Sequence, residues 1–181
     1  MTRSFQLAIL AMLVAIVPAR AQAPTSQDAF AAAQKLYSDG KWAEALAAFQ
    51  NFEANFKFSE AVPEAIYLQG WCWYNLKRYD QALNLFQRMI KSFPSAKLVP
   101  EATLKQAECY RELNNFAKAA EVYRGFQTSH PKHEMLAQAM LGEAWMLYRQ
   151  KDLAGAKAVI EKVRTAFRSE ERRVGKECRS R

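Results

Sequence analysis

Apolar positions in this chain come in bursts, and the bursts return at a fixed interval. In "WAEALAAFQNF", Trp42, Ala45 and Phe49 stand at i, i+3 and i+7, one stripe of a helix. The stripe returns as Tyr79, Ala82 and Phe86, as Phe116, Ala119 and Tyr123, and as Leu153, Ala156 and Ile160, each step being 37 residues. A second stripe keeps the same register. It places Ala33, Gly70, Ala107 and Ala144 three residues ahead of Leu36, Trp73, Tyr110 and Leu147. Even the letters "VPEA" are written twice, at 62–65 and 99–102. A fixed period of this length marks a repeat architecture.

Each period reads as two helices. Pro63 and Pro100 suit the start of the first, where a missing N–H costs nothing. Glu64 and Glu101 then sit in the first turn, favourable to the helix dipole. The turns are "SDGKW", "NLKRY", "ELNNF" and "RQKDL", with Gly40 and Asn114 at equivalent places that tolerate a left-handed backbone. Pro94 and Pro131 stop the second helix in two copies. The small residue at Gly70 and Ala107 lets the paired helix approach, and the following aromatic fills the space one turn on. No helix pair can bury its apolar face alone, so the pairs must stack. The predicted fold is an all-α solenoid of about four units, near 26–62, 63–99, 100–136 and 137–167, within a domain at 25–167.

On these residues the chain resembles the tetratricopeptide repeat family, whose usual period is about 34. The resemblance covers Gln27 to Phe167, and the three extra residues fall in linkers such as "FPSAKLVPEA". Such linkers are similar to those of bacterial envelope proteins: the outer-membrane barrel-assembly lipoproteins and the periplasmic coordinator associated with the Tol-Pal system. The chain departs from the first in lacking a lipidation Cys, and from the second in lacking a coiled coil before the repeats.

The two ends change the picture of charge. Arg3, the apolar run Leu7–Val17 and the small-x-small sites ending at Ala21 or Ala23 form the pattern of a cleaved secretory signal. The run is too short to span a bilayer as a stable helix, so no membrane span is expected after cleavage. Residues 1–21 are therefore read as signal peptide, with cleavage after 21 or 23, and the mature protein as periplasmic. The tail Arg168–Arg181 resembles a translated sequencing adapter over its whole length. It is read as non-native, and as disordered or only loosely helical. No polar cap follows Phe167, so the chain reads as a fragment of a longer protein. The formal charge is +8. Setting aside the tail, Arg3 and Arg20 leaves about +3 for the body, and a nucleic-acid partner loses its support.

No catalytic constellation emerges, and the chain is read as a non-enzyme without cofactor or metal. His130 and His133 in "SHPKH" are too few for a metal site and are assigned to a solvated linker. Cys72 and Cys109 are one period apart. Equivalent positions in stacked units lie about 8–10 Å apart, beyond the ~7 Å Cα separation a disulfide allows. Two free, mostly buried thiols are expected.

The informative feature is a further stripe on the first helix of each unit: Phe30, Gln34 and Tyr37; Tyr67, Trp71 and Tyr74; Leu104, Glu108 and Arg111; Leu141, Trp145 and Tyr148. The family resemblance implies that these positions line a concave groove. Phe30, Tyr37, Tyr67, Trp71, Tyr74, Glu108, Arg111, Trp145 and Tyr148 are then the candidate site for a protein or peptide partner, because Tyr and Trp offer large contact area with a polar handle. Trp42, at the turn between paired helices, is read as structural. The function this implies is an interaction scaffold of the bacterial cell envelope. The alternative is the docking arm of a longer protein that carries an enzymatic or wall-binding domain.

Overall fold

Residues 24–179 are described by a computed structural model; the segment read as a signal peptide lies outside them. They form eight α-helices: α1 (Ser26–Ser38), α2 (Trp42–Asn55), α3 (Val62–Asn75), α4 (Tyr79–Ser92), α5 (Val99–Glu112), α6 (Phe116–Ser129), α7 (Leu136–Arg149) and α8 (Leu153–Arg179). From α4 onward, every helix begins 37 residues after its counterpart in the preceding unit. Each helix packs mainly on its neighbours in the chain, as in a solenoid built from helix pairs.

Local chemistry sets the boundaries. Thr25 and Asp28 form a reciprocal capping box at the start of α1. Pro63 and Pro100 fall in the first turns of α3 and α5. The turn inside each unit is the same motif four times, with Gly40, Lys77, Asn114 and Lys151 all at positive φ. In the second copy Lys77 N–H donates to Tyr74 C=O at 2.9 Å and Arg78 N–H to Trp73 C=O at 2.9 Å. This is a Schellman arrangement, which satisfies carbonyls that the helix end leaves open. Gly40 and Asn114 suit it, whereas Lys77 and Lys151 are forced into it.

The linkers repeat as well. Phe56, Phe93 and His130 each cap a second helix, donating their N–H to Phe52, Met89 and Phe126. The two histidines are therefore not solvated as expected. His130 stacks on Phe126 with ring centroids 4.9 Å apart, and His133 meets Phe126 edge-on at 5.7 Å. His130 stands where the other linkers put phenylalanine, and it is held as a capping ring.

Buried side chains come from the periodic stripes. Ala33, Ala45, Phe49, Ala82, Phe86, Ala107 and Ala119 have no exposed surface. Gly70 lies against the Phe86 ring so closely that a Cβ would stand 2.7 Å from it. Cys72 and Cys109 are free and buried, as the register requires. Stacking also buries polar groups that must find partners. Glu53 of α2 accepts from Gln69 of α3 and from Arg88 of α4, both at 2.9 Å. Glu143 of α7 accepts from Arg124 and Gln127 of α6, both at 2.7 Å.

Helix α8 runs without a break to Arg179, so no helix end marks the expected boundary at 167. Arg, Glu and Lys are good helix formers, and extending a formed helix avoids the cost of nucleation. Of the two expectations for this segment, disordered or only loosely helical, the backbone is helical. No helix among the described residues is long and apolar enough to cross a membrane.

Candidate functional site

The stripe carried by α1, α3, α5 and α7 divides into three environments. Phe30 is drawn inward, its ring 5.7 Å from Phe49 and 5.2 Å from Phe52. Tyr37 meets Trp42 edge-on at 5.1 Å, and Tyr67 tilts on Phe86 at 5.7 Å. These three are half-buried members of the interior. Trp71 and Tyr74 are half-buried against the same core.

The middle of the stripe is a mixed aromatic and charged cluster across α3 and α5. Trp71 and Tyr74 meet edge-on at 5.8 Å. Lys105 of α5 holds its ammonium 4.2 Å from the Trp71 ring centroid and donates to Glu108 at 2.6 Å. The indole face attracts the cation, and the carboxylate balances it. Arg111 donates to Glu112 through Nε and Nη2, at 3.1 and 2.7 Å. Its Nη2 also lies 3.5 Å from the Tyr74 hydroxyl. Burial pushes the Tyr74 phenol up to about 12, helped by Glu108 and Glu112 and opposed by Arg111. Tyr123 beneath it is pushed to about 12 by burial and by Glu108. Both hydroxyls therefore stay protonated and able to donate at neutral pH. Toward α1 the row continues with Gln34 Nε2 donating to Glu64 at 3.1 Å.

Lys105, Glu112 and Glu64 belong to this row, although sequence reasoning passed over them. The counterparts of Lys105 are Leu68 and Gly142, so no residue type recurs at that position. A helical reading would have found it all the same, one turn ahead of Glu108.

Trp145 and Tyr148 form the third environment. Their rings stack at 5.5 Å and 24°, and both are more than half exposed. With Leu141, Ala144, Ala156 and Ile160 they line an apolar groove of about 420 Å³ between α7 and α8. Trp71 and Trp145 share a register position, but one is covered by the next unit and the other is open. Leu153, at the register position of Trp42, is also exposed. The described residues contain no group of three or more His, Cys, Asp or Glu arranged to hold a metal ion.

Helix pairs that stack in order, each presenting the same row of side chains, define a helical-repeat solenoid. Tetratricopeptide repeat family models match residues 30–97 and 101–133, together more than half of the chain. The chain belongs to the tetratricopeptide repeat family. Solved structures agree on the fold. MamA from Desulfovibrio magneticus RS-1, residues 41 to the end, superposes with a TM-score of 0.67 at 17% identity, covering 80% of this chain and 77% of that one. Another MamA crystal structure gives 0.69 at 16%, covering 82% and 81%. A putative kinesin light chain from Podospora anserina, with nearly identical repeats, gives 0.68 at 14%, covering 92% and 84%. A comparison with curated proteins finds no match.

Proposed function

We propose that this protein is a non-enzymatic scaffold of the bacterial cell envelope, exported by its signal peptide to the periplasm. It holds a segment of a partner protein against the row formed by Trp71, Tyr74, Lys105, Glu108 and Arg111. The observation that carries this reading is the half-buried cation over Trp71, paired with Glu108 and flanked by Tyr74 and Arg111. Such a cluster combines the rings and guanidinium favoured at recognition surfaces with charges of both signs. The partner is an extended segment with an acidic or carbonyl group for Arg111 and an apolar residue for the ring edges.

Affinity capture from a periplasmic extract tests this, using the mature protein and two variants, Trp71→Ala and Arg111→Ala. Loss of an anchor costs about 2 kcal/mol, which is close to a thirtyfold weakening. Both variants should keep the wild-type circular dichroism and lose the captured partner. Undiminished capture by both would rule out this row. N-terminal sequencing of the exported protein should begin at Gln22 or Pro24.

A further inference from the structure

The groove between α7 and α8 is the fourth copy of an interface that the molecule fills three times. In unit 3, Leu104 is 2% exposed and Tyr123 is 4% exposed, because α7 lies across α5 and α6. Their register counterparts in unit 4, Leu141 and Ile160, are 52% and 50% exposed. Ala144 and Ala156 beneath them remain buried, as Ala107 and Ala119 are. The floor of the groove is thus built to the same plan, and its occupant is a helix.

The three occupying helices share a pattern at the contact. α3 carries Ala65 and Cys72, α5 carries Ala102 and Cys109, and α7 carries Ala139 and Met146. Ala102 and Cys109 pack into the core of the units before them, and so do Ala139 and Met146. On α5 the residue three places after the alanine also faces the preceding stripe. It is Lys105, over Trp71. Unit 4 again places tryptophan at that position, Trp145, so a cation is the matching partner.

Nothing described in this chain supplies such a helix to the groove. α8 runs on to Arg179, about 40 Å along one axis, and does not fold back. A second copy would offer α1, but α1 has Asp28 and Lys35 where the docking helices have Ala and Cys or Met. Those charges would be buried against Ala144, Ala156 and Ile160.

We propose that the α7–α8 groove binds a partner helix bearing Ala, a Lys or Arg three residues on, and Cys or Met seven residues on. The probe is a peptide of residues 97–114, which has this pattern. It is stapled through a pair of positions four apart that leaves Ala102, Lys105, Glu108 and Cys109 unchanged, so that it is helical before it binds. Added to the full chain, it should shift the Trp emission saturably, and Trp145→Phe should abolish the shift. Ile160→Glu in the protein, or Ala102→Arg in the peptide, should weaken binding by more than tenfold. Lys105→Glu in the peptide should weaken it about fivefold. No saturation by about 1 mM peptide, a constant of about 4 kcal/mol, overturns the proposal. So does equal binding of a scrambled stapled peptide. Sedimentation showing self-association that Ile160→Glu abolishes would assign the groove to a second copy instead.

Discussion

Gly70 and Phe86 are in contact because Gly70 has no side chain. A Cβ there would stand 2.7 and 2.9 Å from two carbons of the ring. Phe86 is fully buried, so its ring can give way only by displacing other core side chains. Alanine normally favours a helix over glycine by about 1 kcal/mol, but overpacking a core costs about 1–3 kcal/mol. Gly70→Ala should therefore destabilise the protein by up to about 2 kcal/mol, read as a lower urea midpoint. A raised midpoint would show that the two helices separate freely.

Lys77 should be improvable. Its φ of 59° lies in the left-handed region, which costs an L residue about 1–2 kcal/mol. Lys77→Gly removes that strain, less about 0.4–1 kcal/mol for the freer unfolded chain. A net gain of about 0.5 kcal/mol is expected, with Lys77→Asn between the two. The same glycine at Arg78, where φ is −97°, should only destabilise. Paired thermal melts of the two glycine variants check the sign.

Buried Glu143 depends on its two donors. Arg124→Ala leaves the carboxylate with Gln127 alone and should cost about 1–3 kcal/mol. Glu143→Gln should cost less, because it keeps a hydrogen-bonding amide where Gln69 and Gln106 stand in earlier units. Denaturant melts of both variants give the order, and a costlier Glu143→Gln would contradict it.

The protein should lose stability in alkali. Burial pushes the Cys72 and Cys109 thiols from an ordinary 9.0 up to about 12. The raised pKa means that the folded state keeps a proton that the unfolded state releases. The contribution is complete below about pH 9 and declines as pH rises toward about 12. Tyr74 and Tyr123 act in the same direction from 10.0 to about 12. Urea midpoints should fall steadily between about pH 9 and 11, and less steeply in a Cys72→Ala, Cys109→Ala variant. Equal slopes would mean that the thiols ionise normally.

Much of this architecture is legible in the sequence because the packing repeats. Gly70, Ala107 and Ala82 declare where helices approach, and the stacking follows from their spacing. What is not legible sits at positions where the residue type changes from unit to unit. Lys105 over Trp71 is such a position, with Leu68 and Gly142 as counterparts. The left-handed lysines are hidden for a different reason: Lys77 and Lys151 have no intrinsic taste for that turn and adopt it because the helices on either side demand it. The stripe containing Trp71 and Trp145 was visible as one set. Whether each ring is covered depends on which helix stacks upon it, and no local pattern states that.

The two polar contacts between units also distinguish one junction from another. Glu53 meets Gln69 at one junction, while Gln127 meets Glu143 at another, with acid and amide exchanged between the helices. Were α7 to stack on α2 during folding, the carboxylates of Glu53 and Glu143 would face each other. Were α3 to stack on α6, two amides would meet with no charge between them. At the remaining junction the corresponding positions hold Ile90 and Gln106, which match neither. An array of near-identical parts is prone to joining in the wrong sequence. In this chain Glu143, held by Arg124 and Gln127, marks one junction, and a stack of α7 on α2 is disfavoured by the two carboxylates it would bring together.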